Sequence, residues 1–177
     1  MPIVKAVGEA QMVADATAGL LGDAFLLAAA GIRVTAIERS PVVFALADDG
    51  LARARLDARL AELIGDRIEL VHADARRWLE ERIGTGRAPD AVVIDPMFPP
   101  KKKKSALPRK EMVVLREVVG SDVDAAELLE VARKCARMRV ALKRGDDAEE
   151  LASPEWTVGG TTVRYDVWSG SPPGRTR

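Results

Sequence analysis

Residues 11–38 read QMVADATAGLLGDAFLLAAAGIRVTAIE, and the fold follows from them. A short apolar run over 11–14 stops at the acid Asp15 and passes into small residues and glycines. Asp23 then opens an alanine- and leucine-rich block over 24–30 that ends at Gly31, the order of a helix body closed by a glycine. Residues 33–37 are again mostly apolar with little alternation, as a strand covered on both faces requires. That run stops at Glu38. Strand, glycine turn, helix and strand make one β-α-β unit, whose two strands run parallel.

The same grammar continues. Ser40 and Pro41 suit the N-cap and first position of a helix, predicted to run toward Ile64 and stop at Gly65. A strand is expected over 67–71, ending near His72 and Asp74, then a helix through Arg77, Trp78 and Leu79 that Gly84 and Gly86 break. The wholly apolar 91–94 is a fourth strand, ending at Asp95 and Pro96. Beyond a proline- and lysine-rich loop come helical patterns near 110–119 and 123–136, and a fifth strand over 139–142. Two β-rich runs, 156–158 and 162–168, flank Gly159 and Gly160 as a hairpin. The predicted fold class is α/β: a Rossmann-like, mostly parallel seven-stranded sheet covered on both faces, with a C-terminal antiparallel hairpin. That hairpin departs from a plain dinucleotide fold and resembles the class I methyltransferases. Residues 1–9 read as a short leader and 172–177 as a frayed tail.

The 177 residues fit one domain spanning 1–177. With 47% hydrophobic and 31% charged residues, the composition is that of a globular protein. The single cysteine, Cys135, excludes an internal disulfide framework or multi-cysteine metal site and points to a reducing compartment, the cytoplasm. No run of about 18 apolar residues exists, so no membrane span is expected. Lys101, Lys102, Lys103, Lys104, Arg109, Lys110 and Arg116 are opposed only by Glu111. A cationic patch on a chain of zero net charge suggests a local polyanion contact, although lysine runs are commonly just solvated surface.

In open α/β sheets ligands sit beyond the carboxyl ends of the strands, and four of these ends carry an acid: Asp15, Glu38, Asp74 and Asp95. Gly19 and Gly22 let backbone approach a ligand, but the dinucleotide fingerprint is absent. An acid-led glycine turn with Asp23 suits a ligand bearing a cationic amino-acid end, such as the methionine part of S-adenosylmethionine. Glu38 suits the two hydroxyls of a ribose. Asp74 suits an adenine amino group, or a helix N-cap, or both. Asp95, Pro96, Met97 and Phe98 are close to the Asp-Pro-Pro-Tyr type motif of amino-methylating enzymes. An exocyclic amine is a poor nucleophile because its lone pair is delocalised. A carboxylate at Asp95 and the Pro96 carbonyl can accept its two N–H groups and favour the pyramidal form. Phe98 offers a face for base stacking, worth about 1–3 kcal/mol. The basic loop would then hold phosphates beside the base pocket. Sulfonium methyl transfer needs no metal, and none is expected. The lone histidine, His72, reads as structural, and Cys135 as core.

Those residues bring a family into view. The chain resembles the RsmJ family, the 16S ribosomal RNA guanine-N2 methyltransferases, through DATAGL at 15–20, DAF at 23–25, ERSPVV at 38–43 and DDGLAR at 48–53. HA at 72–73, DPMFP at 95–99, KSAL at 104–107 and KEM at 110–112 continue the match. The resemblance implies S-adenosylmethionine as cofactor, held by Gly22, Asp23, Glu38, Arg39, Asp74, Ala75 and Asp95. It also implies methylation of a guanine 2-amino group near the 3′ end of small-subunit ribosomal RNA. Three departures stand out: the family reads Gly-Arg where this chain has Leu21 and Gly22, and a serine pair where it has Asp74 and Ala75. The family's N-terminal extension is also expected to be lacking. Two alternatives stay open at this level: methylation of another nucleobase or small-molecule amine, and a non-catalytic RNA-binding or assembly module on the same fold.

Overall fold

A computed structural model describes residues 1–96, 124–145, 150–159 and 163–171. Phe98, the lysine run Lys101, Lys102, Lys103 and Lys104, Arg109, Lys110 and the helix expected over 110–119 lie outside the described residues.

Seven strands form one sheet: β1 (Met12–Asp15), β2 (Arg33–Glu38), β3 (Ile68–His72), β4 (Ala91–Ile94), β5 (Arg139–Arg144), β6 (Trp156–Gly159) and β7 (Arg164–Ser169). Their order is β3-β2-β1-β4-β5-β7-β6, the first five parallel, with β7 antiparallel to β5 and β6 antiparallel to β7. The helices are α1 (Pro2–Val7), α2 (Gly22–Ala29), α3 (Pro41–Leu56), α4 (Ala58–Ile64), α5 (Ala75–Glu80) and α6 (Ala125–Cys135). Among the described residues none is long and apolar enough to cross a membrane.

Alternation along each strand sorts the core into two layers. Val13, Val93 and Ala141 face the layer that α1, α2, α3 and α4 complete. Ala14, Val92, Ile94, Val140 and Leu142 face the layer of α5 and α6, which buries Cys135 as expected. The parity has a consequence at the carboxyl edge. Asp15, Asp95 and Lys143 each stand two residues beyond Val13, Val93 and Ala141, so all three belong to the α2 face. Asp15 pairs with Val93 and Val93 with Ala141, so the three lie on neighbouring strand ends.

The opposite edge is pinned. Asp90 accepts the Gln11 and Met12 N–H groups on one oxygen at 2.9 Å each and pairs with Arg137. Burial opposes its ionisation, but the Met12 N–H, Arg137 and the Gln11 N–H outweigh it and hold the carboxyl below its ordinary range.

Two expectations are corrected. The supposed leader is helix α1, with Ile3, Ala6 and Val7 buried against the sheet. Arg139 donates to the Lys5 and Ala6 carbonyls at 3.3 and 3.4 Å, satisfying acceptors that a helix end leaves open. Its guanidinium also fills the space beside Gly8, where a Cβ would come within 2.6 Å of it. The single helix expected from Ser40 to Ile64 is two. Asp57 takes an extended backbone between them, and its Oδ1 accepts the Arg59 and Leu60 N–H groups at 3.0 Å, capping α4. Ser40 and Pro41 do start α3 as read, with Ser40 Oγ accepting from Val43. The terminal hairpin is also present, and its return is tight: Gly170 donates to the Met138 carbonyl, and a Cβ there would lie 2.2 Å from the Ala136 carbonyl oxygen.

Candidate active site

The chain winds from β1 outward through β2 to β3 and then crosses back to β4 on the other side of β1, so a crevice opens at the carboxyl ends of β1 and β4. A cavity of about 330 Å³ fills it, a size typical of a small-molecule site. Asp15, Gly19, Gly22, Asp23, Glu38, Arg39, Asp74, Ala75, Asp95 and Pro96 all line it. Asp74 follows β3, Glu38 ends β2, Asp15 ends β1, Asp95 follows β4, and Lys143 lies on β5. The cleft therefore crosses five strand ends, roughly 19 Å at about 4.8 Å per strand.

The loop after β1 is fastened on both sides. Glu38 accepts the Gly19 N–H at 3.0 Å and the Ser40 N–H at 2.7 Å. The carboxylate expected at a ribose thus also joins the glycine loop to the end of β2. On the other side, Thr17 Oγ1 accepts the Asp95 N–H at 2.6 Å, so the first loop sets the height of the Asp95–Pro96 turn. Asp15 is 2% exposed and accepts the Thr17 N–H at 3.3 Å. Burial, with the charges of Asp23 and Asp95 adding to it, pushes its carboxyl up to about 7, against the pull of the Thr17 N–H and Lys143.

Leu21 has φ +67°, the only non-glycine residue in the left-handed region among those described. Glycine takes that conformation without strain, whereas a leucine adopts it at a cost. Leu21 compensates with a buried side chain. Next to it Gly22 leaves open space, with nothing within 4 Å of where a Cβ would stand.

At the far end Asp74 caps α5, its Oδ1 accepting the Arg76 and Arg77 N–H groups at 2.9 and 3.4 Å. Burial works against its charge, yet Arg76 and these two N–H groups hold the carboxyl below its usual range. Asp124, just before α6, bridges Arg39 at 3.1 Å and Arg76 at 3.2 Å across the mouth of the cleft. His72 lies beneath, its Nε2 3.2 Å from the Arg39 carbonyl and its ring on Phe44, a structural placement as read.

Lys143 is the residue that sequence reading missed. Its Nζ lies 2.9 Å from both Asp23 Oδ2 and Asp95 Oδ2. The fifth strand was expected to end at Leu142, but β5 continues to Arg144. The signal was available: a lysine two places after Ala141 falls at the carboxyl end of a buried strand, beside the Asp-Pro turn.

The donor and acceptor set fits an adenosyl sulfonium cofactor. Acidic acceptors stand at both ends, backbone is open at Gly22, and carboxylates outnumber cations around Asp15. Among the described residues no cluster of histidine, cysteine or acid could hold a metal ion.

Comparison with known proteins agrees with the geometry. A family model for SAM-dependent methyltransferases matches residues 1–170. The ribosomal RNA small subunit methyltransferase J of Chromobacterium violaceum is 44% identical over 94% of this chain and 67% of its own length. The chain belongs to this family. The relative of that name from an Escherichia coli strain is 48% identical over 90% of this chain and 63% of its own. This chain thus spans about two thirds of the length of these curated relatives. The crystal structure of a SAM-dependent methyltransferase from Neisseria gonorrhoeae superposes with a TM-score of 0.76 at 34% identity, covering 98% of this chain and 67% of that one. The class I methyltransferase fold and S-adenosylmethionine as the family's cofactor are thereby established for this chain.

Proposed function

We propose that the protein methylates the exocyclic N2 of a guanine in small-subunit ribosomal RNA, in the cytoplasm. The observation that carries the reading is the Asp95–Pro96 turn at the edge of the cofactor cleft, tied to the first loop through Thr17. The names of the relatives supply the RNA class.

Bound in the cleft, S-adenosylmethionine supplies an activated methyl group: a C–N bond forms as the C–S bond breaks, and neutral S-adenosylhomocysteine remains. The protein positions the reactants for this in-line displacement. Glu38 would receive the ribose hydroxyls with the oxygen capacity left beside Gly19 and Ser40. Asp74 and the Ala75 backbone would receive the adenine edge, and Arg39, held by Asp124, would close that end of the cleft. Asp15, Gly19, Gly22 and Asp23 surround the methionine end. The Asp95 carboxylate and Pro96 carbonyl accept the two amine hydrogens and turn the nitrogen lone pair toward the methyl group. The extra proton left on nitrogen after transfer departs by way of Asp95. Phe98 stacks on the base, and Lys101, Lys102, Lys103, Lys104, Arg109 and Lys110 hold nearby phosphates.

Transfer of labelled methyl from S-adenosylmethionine to undermethylated small-subunit particles tests the assignment. Asp95→Ala should lower kcat at least 100-fold while S-adenosylhomocysteine still binds in calorimetry. Normal turnover in that variant would show the amine assignment to be wrong. An Asp-Pro turn suits any planar amine, so nucleoside mass spectrometry of a deletion strain decides the substrate. Loss of a nucleoside other than N2-methylguanosine would replace guanine with that base.

A further inference from the structure

Three carboxyl groups crowd the carboxyl edge of the sheet near the start of α2. Among the described residues, Asp15 from β1, Asp23 from the first turn of α2 and Asp95 after β4 gather around the ammonium of Lys143. Tyr165 of β7, the register partner of Lys143, is the remaining titratable group facing them among the described residues. Lys143 touches Asp23, at the cofactor's methionine end, and Asp95, at the amine, with equal 2.9 Å contacts. Its own strand is rigidly placed between β4 and β7. Burial opposes the charge of this lysine, but Asp95 and Asp23 outweigh it and hold its proton more firmly than usual.

We propose that Lys143 is a positioning residue that fixes the Asp95 carboxylate against the cofactor loop, aimed at the substrate amine. The proposal rests on the methyltransferase reading of this cleft. A fixed cation on a central strand gives Asp95 one orientation, where an exposed carboxylate on a turn would sample several. It also ties that orientation to α2, whose first turn carries Asp23. The Lys143 nitrogen therefore registers the two halves of the site against each other. An ion pair that merely fastened α2 to the sheet would leave kcat intact in a folded variant, whereas an orienting role lowers kcat with little change in the KM for cofactor, and the two roles separate on that point.

Lys143→Met and Lys143→Arg distinguish them. In the first arm, carbon-13 carboxyl titration follows Asp15, Asp23 and Asp95 with no substrate present. Losing a cation within hydrogen-bond distance should raise the Asp95 midpoint by about one to three units in Lys143→Met, and Lys143→Arg should restore it. The second arm measures methyl transfer to undermethylated small-subunit particles against pH. Lys143→Met should lose at least 30-fold in kcat at pH 7, with the acid limb moved upward and the KM for cofactor changed less than fivefold. Lys143→Arg should recover a tenth or more of wild-type kcat. An unmoved Asp95 midpoint, or an unmoved acid limb in an active variant, overturns the proposal. If Lys143→Met does not fold, Lys143→Arg carries the test: a guanidinium that keeps the wild-type Asp95 midpoint supports the pairing, and a displaced midpoint despite the retained charge overturns it. Should the wild type bind S-adenosylhomocysteine yet transfer nothing to the particles while the midpoint shifts as stated, the RNA assignment fails alone and the pairing stands.

Discussion

Asp15→Asn should stabilise the ligand-free protein above pH 7, by an amount that the buried carboxyl sets. The folded state moves this group from 3.8 to about 7, chiefly by burial and next by the charge of Asp23. About three units at 1.36 kcal/mol each give about 4 kcal/mol as an upper bound. The sign follows from proton binding. Between pH 4 and 7 the folded chain keeps a proton that the unfolded chain has lost, so stability falls as pH rises through that window and levels off above it. Asparagine has the same shape, keeps an oxygen for the Thr17 N–H and carries no titration. Urea denaturation of both proteins from pH 4 to 8.5 checks this. The variant's advantage should grow with pH and reach a plateau near pH 8, at up to about 4 kcal/mol. A difference that does not depend on pH would refute the reasoning. Cofactor binding offers a second readout. A cationic ligand relieves the repulsion, so wild type should release protons on binding near pH 7, measurable in buffers of unlike ionisation enthalpy, and the variant should release fewer.

Leu21→Gly removes a left-handed backbone strain of about 1 kcal/mol, but also a fully buried leucine worth about 3 kcal/mol or more. The loss wins, and Tm should fall by roughly 4–8 °C for a chain of this length; a rise in Tm would show that the side chain contributes little. Gly170→Ala brings a methyl group against the Ala136 carbonyl oxygen and the Met138 nitrogen, backbone atoms that cannot swing away. A cost of about 3 kcal/mol is expected in denaturant titration, and an unchanged midpoint would contradict the tight return after β7.

The strand ends were legible because an acid closing an apolar run is a local pattern, and Asp15, Glu38, Asp74 and Asp95 all proved to line one cleft. Local patterns fail where the meaning of a residue depends on a distant partner. Six residues of α1 hold too few turns for periodicity, and Ile3, Ala6 and Val7 make sense only against the sheet that buries them. Asp57 sits inside an otherwise continuous helical pattern, and its cap becomes visible only with the extended backbone that lets it reach Arg59 and Leu60. Lys143 looked like the end of a strand because a lysine in a buried strand is costly without partners; Asp23 and Asp95, 120 and 48 residues away, supply them. Arg76 and Asp124 meet across the mouth of the cleft for the same kind of reason.

The two ends of β1 have been treated in opposite ways. Asp90 grips the entry of the strand with every charge answered, whereas Asp15 at the exit stands among neighbours of its own sign. Endurance is concentrated at one edge of the sheet and readiness at the other. A campaign that selected only for heat tolerance would find its easiest gains at the exit and would erode turnover long before it disturbed the fold.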